Sequence, residues 1–101
     1  MTAGIVSWGA YVPYWRLERA VIAGALGGPP AKGTRSVASY DEDTTSMAVE
    51  ASRLALAALD GPADLGALSF TTSVPPYQDK TNATAVHAAL GLDRTVAAYD
   101  M

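Results

Sequence analysis

The stretch from Ala67 to Gly91 restricts the possible folds more than any other part of this chain. Residues Ala67 to Ser73 predict a short strand, with apolar Leu68 and Phe70 and β-favouring Thr71 and Thr72. Val74-Pro75-Pro76-Tyr77 must end that strand, because two prolines remove two ladder donors and fix φ at both positions. A helix then opens on Thr81 or Asn82 as N-cap and carries Ala83, Val86, Ala89 and Leu90 at helical spacing. Gly91 is placed to close it in the left-handed conformation. A strand, a rigid polar loop at its carboxyl end and a helix make the site-bearing unit of an open α/β sheet. If the chain has chemistry, part of it is expected at that loop.

The flanking sequence extends the same pattern. Gly4 to Pro13 predicts a first strand, rich in β-branched and aromatic residues, and Gly9 within it suggests a bulge or a close backbone approach. Leu17 to Leu26 carries Leu17, Val21, Ile22, Ala25 and Leu26 at three-to-four spacing, which predicts a short helix broken by Gly27-Gly28-Pro29-Pro30. Ala31 to Ser39 reads as a polar, exposed loop. The longest helix is predicted over Thr44 to Leu59, capped by Asp43 or Thr44 and ended by Asp60-Gly61-Pro62. Its apolar face is read as Met47, Ala51, Leu54, Ala55 and Ala58, widened by Ala48 and Leu59. Thr95 to Met101 predicts a last strand. The order strand, helix, helix, strand, helix, strand implies an α/β fold with mainly parallel pairing. Because a parallel unit seldom ends on a bare strand, the chain reads as truncated.

Composition supports folding and narrows function. Half of the 101 residues are hydrophobic and 17% are charged, enough apolar surface to offset chain entropy. A net charge of −3 without a basic patch argues against nucleic acid as a partner. With no cysteine in the chain, disulfides, a thiolate nucleophile and cysteine-ligated metal are excluded within these residues. No apolar run approaches membrane-spanning length and no signal peptide is evident, so a cytoplasmic protein without membrane contact is expected.

Several polar residues have plain structural readings beside functional ones. His87, the only histidine, sits mid-helix and reads as a helix-surface residue. Asp41-Glu42-Asp43 suggests a cation, yet acids at a helix start are accounted for by the helix dipole. Asn82-Ala83-Thr84 matches a glycosylation acceptor and is better read as a cap. Tyr11, Tyr14 and Trp15 read as core or interface aromatics before cleft residues.

Four ordered blocks also carry a resemblance. Gly4-Ile-Val-Ser-Trp-Gly-Ala-Tyr-Val-Pro, Tyr40-Asp-Glu-Asp-Thr-Thr-Ser-Met-Ala-Val-Glu-Ala, Pro76-Tyr-Gln-Asp-Lys-Thr-Asn-Ala-Thr and Ala89-Leu-Gly-Leu resemble the opening of hydroxymethylglutaryl-CoA synthases. The archaeal and bacterial members are nearest in pattern, and they belong to the thiolase superfamily with the ketoacyl synthase III enzymes. The resemblance implies that residues 1–101 form the N-terminal part of a thiolase-like domain. It implies acyl-CoA as substrate rather than a permanently bound cofactor, a cysteine thioester intermediate, and a homodimer or a partner chain. The nucleophilic cysteine of the family follows the strand matching Thr95 to Met101, so it lies past Met101, as do its histidine and the remaining CoA-binding residues. Aligning Pro76-Tyr77, Lys80 and Leu90-Gly91 puts Ser73 where those synthases carry a catalytic glutamate. Ser73 is therefore the candidate catalytic-position residue, its plain reading being a strand-end serine that satisfies loop backbone. A ketoacyl synthase III-like or thiolase-like condensation is one alternative. A non-catalytic module or split subunit is the other.

Overall fold

The computed structural model describes residues 3–101. In chain order the elements are β1 (Trp15–Glu18), α1 (Arg19–Leu26), β2 (Thr34–Val37), α2 (Thr44–Ala57), β3 (Ala67–Phe70), α3 (Asn82–Leu90) and β4 (Ala97–Asp100). They fall into two compact units: Val12–Glu42, and Asp43–Met101 with the described residues up to Tyr11.

The Val12–Glu42 unit is a hairpin interrupted by a helix. β1 and β2 pair antiparallel, with Trp15 opposite Val37 and Glu18 opposite Thr34, and Arg19 N–H donates to Gly33 O at 3.0 Å just beyond. This differs from the reading of Ala31 to Ser39 as a loop and of Leu17 as helical. Pairing with a segment some twenty residues distant holds Leu17 extended opposite Arg35, so α1 starts two residues later than its apolar spacing suggests. Both strands are exposed along their length, which is why neither shows an alternating pattern. Gly27, at φ 70°, ends α1 at the expected break. Tyr14 and Trp15 are exposed and meet edge to face at 5.2 Å, and Trp15 Nε1–H donates to Ser39 Oγ at 2.9 Å.

The other unit contains the parallel pair. β3 and β4 run in parallel, Ala67 opposite Ala97 and Phe70 opposite Asp100, with α3 as the crossover. Phe70, Ala83 and Val86 form the buried core, flanked by Ala48, Val49, Leu68, Leu90 and Ala98. Within α3, Ala83 and Val86 are buried and Leu90 half-buried as the spacing predicts, whereas Ala89 is exposed. Asp43 caps α2 through a capping box: its carboxylate accepts from Ser46 N–H at 2.8 Å, and Ser46 Oγ accepts from Asp43 N–H at 3.0 Å. α2 ends at Ala57, ahead of Asp60-Gly61-Pro62, and its faces are rotated from those predicted. Ala48 and Val49 meet the core, while Leu54 and Ala58 are exposed.

Residues 4–13 form no strand; among the described residues they have no ladder partner. Their fit to α2 is nonetheless close. Ser7 Oγ donates to Ala55 O at 2.8 Å, and a Cβ on Gly9 would lie 2.4 Å from Ala51 O. The close approach expected of Gly9 is thus made to a helix rather than within a sheet. Both predicted strands of the parallel pair are shorter than their sequence patterns: the first stops at Phe70 and the second starts at Ala97. Thr95 is held instead in a turn, its N–H and hydroxyl donating to Asp93 Oδ1 at 2.9 and 2.7 Å.

Candidate functional site

The carboxyl ends of β3 and β4 share one end of the parallel pair, and the loop from Thr71 to Thr81 rises there. It is pinned at three places. Thr72 Oγ1 accepts from Val74 N–H at 3.1 Å, closing a tight turn around Ser73. Val74 O accepts from Thr44 Oγ1–H at 3.0 Å, tying the loop to the first turn of α2. Tyr77 is bracketed by Asn82, whose Oδ1 accepts from Tyr77 N–H at 3.0 Å and whose Nδ2 donates to Tyr77 O at 3.1 Å. Lys80 Nζ lies 4.1 Å from the centre of the Tyr77 ring, a cation–π contact.

Asp100 anchors this arrangement from the end of β4. Its carboxylate accepts from Asn82 N–H at 2.9 Å, Ala83 N–H at 2.6 Å and Asn82 Nδ2 at 3.3 Å. Thr81 stands at the N-cap of α3 but makes no side-chain cap bond, and the N–H groups of Asn82 and Ala83 are satisfied instead by a carboxylate 17 and 18 residues away. The Asn82 N–H, then the Ala83 N–H and the Asn82 side-chain amide, hold the Asp100 carboxyl below its usual range against a smaller opposing effect of desolvation. Local sequence offered no sign of this role, because nothing near Asp100 marks it as a helix cap.

Ser73 is exposed at the bend after β3. The Val74 N–H in this bend is met by Thr72 Oγ1. His87 is half-buried rather than on the helix surface, and its Nε2–H donates to Val96 O at 2.9 Å. Val96 precedes the amino end of β4, whereas Ser73 follows the carboxyl end of β3. Parallel pairing therefore sets the His87–Val96 contact and Ser73 at opposite ends of the sheet.

The other polar motifs are absorbed by structure. Asn82 is buried at 5% exposure, with its amide fully engaged, which makes it a poor glycosylation acceptor. Glu42 Oε1 accepts from Ser39 N–H at 2.8 Å and Asp43 is the α2 cap. Among the described residues, no group of three or more His, Asp and Glu side chains is placed to hold a metal ion.

This fold and loop have counterparts in known proteins. The chain is 39% identical over 107 residues to the hydroxymethylglutaryl-CoA synthase of Aeropyrum pernix, aligning 99% of itself with 30% of that protein. It is 38% identical over 110 residues to the Pyrobaculum arsenaticum synthase, covering 100% of this chain and 31% of that one. The Methanopyrus kandleri synthase is also 38% identical, with 96% and 31% covered. Among solved structures, MvaS in complex with 3-hydroxy-3-methylglutaryl coenzyme A superposes at a TM-score of 0.78 and 27% identity, over 97% of this chain and 25% of that one. No family model matches the chain. It spans about three-tenths of the length of the curated relatives named above, and over that span it is hydroxymethylglutaryl-CoA synthase-like and thiolase-like in fold.

Proposed function

We propose that this chain is the N-terminal segment of an acyl-CoA condensing enzyme of the hydroxymethylglutaryl-CoA synthase type, residues 1–101 being the first part of its thiolase-like domain. The observation that carries this reading is the nearly end-to-end match to synthases at 38–39% identity, on the same fold as MvaS. In the complete enzyme a cysteine thiolate past Met101 attacks an acyl-CoA thioester, forming acyl-cysteine and releasing CoA as its thiolate. A carbanion-like second acyl thioester then adds to a carbonyl, or attacks the acyl-cysteine carbonyl and displaces the cysteine thiolate, with backbone N–H groups holding the oxyanion. Acyl-CoA is a substrate and no cofactor is permanently held. The working assembly is a homodimer or a complex with a partner chain, in the cytoplasm. No helix among the described residues is long and apolar enough to cross a membrane.

Ser73 is the position at which this enzyme departs from a synthase. A carboxylate with a pKa near 4 is a competent base at neutral pH, whereas a hydroxyl needs an activating neighbour. His87, committed to Val96 at the other end of the sheet, does not serve. The aldol-type addition is accordingly slow, and a Claisen-type condensation or acyl transfer suits the site better.

A fusion tests both points: residues 1–101 joined to the remainder of the Aeropyrum pernix synthase in place of the matched segment. Radiolabelled acetyl-CoA should label the fusion covalently, and should not label the 101-residue chain, which lacks a thiol. Condensation of acetyl-CoA with acetoacetyl-CoA should run about a hundred- to ten-thousand-fold below the parent, and Ser73→Glu should raise it. A folded fusion that takes no acetyl label would overturn the enzyme reading in favour of a non-catalytic module. Parental turnover, unchanged in Ser73→Ala, would sink the role given to Ser73.

A further inference from the structure

Three elements that diverge in sequence are joined at Asp100. The carboxylate lies at the last residue of β4 and holds the first turn of α3 through Asn82 N–H and Ala83 N–H. The same oxygen that receives Asn82 N–H also lies 3.3 Å from Asn82 Nδ2, which orients the amide. Oriented in this way, Asn82 meets both backbone polar groups of Tyr77, the residue immediately after Pro75-Pro76. The two prolines make the preceding turn stiff, so a displacement of Tyr77 is passed back toward Ser73 rather than absorbed. One side chain thus sets how far the loop stands from the point where the chain leaves β4. The two backbone N–H bonds to the Asp100 carboxylate, at 2.9 and 2.6 Å, are charge-assisted, the kind that fix geometry best.

We infer that Asp100 is a positioning residue, holding the Ser73–Lys80 loop in register with the carboxyl end of β4 through Asn82. Its role in catalysis rests on the acyl-CoA reading above; its role in placing the loop does not. Asp100 touches no reacting atom. It keeps the two sides of the site at a constant separation, and misplacement of such groups by about an ångström is enough to cost roughly a hundredfold in rate.

Amide hydrogen exchange on the 101-residue chain reads the placement directly. In Asp100→Ala, and in Asn82→Ala, the Tyr77 amide should exchange at least tenfold faster. Leu90, at the far end of α3, and Phe70 in β3 should keep their wild-type rates. Asp100→Asn retains one acceptor oxygen and should fall between wild type and Asp100→Ala. Equal acceleration at Leu90 and Phe70 would show a general loss of structure and overturn the inference, as would a Tyr77 rate untouched by Asp100→Ala. In the fusion with the Aeropyrum pernix remainder, Asp100→Ala should lower kcat at least tenfold with the KM for acetyl-CoA changed less than threefold, and Asp100→Asn should recover part of the loss. A released Tyr77 amide with kcat unchanged would refute the catalytic role. If the fusion with Asp100 intact proves inactive, the acyl-CoA reading fails, while the exchange rates still decide whether Asp100 places the loop.

Discussion

Thr45 is 7% exposed on the core side of α2, and its hydroxyl finds no partner among the described residues. A buried donor left unpaired costs about 1–3 kcal/mol, and valine has the same branched shape without the donor. Thr45→Val should therefore stabilise the chain by about 1 kcal/mol, seen as a rise of about 4–8 °C in Tm. An unchanged or lower Tm would mean that the hydroxyl is satisfied. Asp100 works in the opposite sense, since its hydrogen bonds favour the ionised form. With the folded-state pKa below the unfolded value of about 3.9, the unfolded chain takes up the proton first as pH falls. The contribution is complete above about pH 4 and is lost as pH drops through the folded-state value. Asp93 is shifted the same way, chiefly by Thr95 N–H, and Glu50 chiefly by its hydrogen bond from Arg53. Urea titrations at pH 6 and pH 3 should show wild type losing more stability on acidification than Asp100→Asn. Equal losses would separate the cap from the acid response.

At the scale of elements, α2 serves two neighbours with two faces. Ala48 and Val49 pack on the α3 and β3 core, while Ala51 and Ala55 lie beneath Ser7 and Gly9. A methyl group at Gly9 would meet backbone atoms of α2 at 2.4 and 2.7 Å, which no rotamer change relieves. Gly9→Ala should lift the segment off α2, cost about 1–3 kcal/mol and shift the emission of neighbouring Trp8. A stable variant with unaltered emission would place the segment elsewhere. Gly91 is constrained differently: nothing crowds its Cβ position, but it closes α3 at φ 63°, in the left-handed region. Gly91→Ala should cost about 1 kcal/mol through backbone strain alone, measured by thermal melting. A neutral result there would mean that the helix end readjusts.

The whole molecule leaves much apolar surface in water. Ile5 is 88% and Trp8 77% exposed, and Tyr14, Leu26, Val74 and Met101 are also open to solvent. The buried core rests on a few residues around Phe70 and Val86. Exposure of so many large apolar side chains favours association. The 101-residue chain should bind an apolar-surface dye such as ANS and sediment as a concentration-dependent oligomer. The fusion that supplies the remaining polypeptide should bind less dye per chain. A monomer that ignores the dye would count against this picture.

What was legible in sequence alone is local. Pro75-Pro76 had to stop a strand, Ala83 and Val86 had to share a helix face, and Gly91 had to end that helix, because each follows from dihedral limits or a 3.6-residue period. The capping of α2 by Asp43 was legible for the same reason, its partner lying three residues on. Four blocks at constant spacing carried the likeness to the synthases, which needs no geometry at all. Tertiary structure alone decided the rest. β2 arose in a polar stretch because β1 supplied its ladder, and residues 4–13, though β-rich, found no ladder among the described residues. His87 turned inward to a carbonyl nine residues away, and Asp100 became the cap of a helix whose own N-cap residue caps nothing. Hydrogen bonds between residues distant in sequence depend on where the backbone brings them, and no local pattern encodes that meeting.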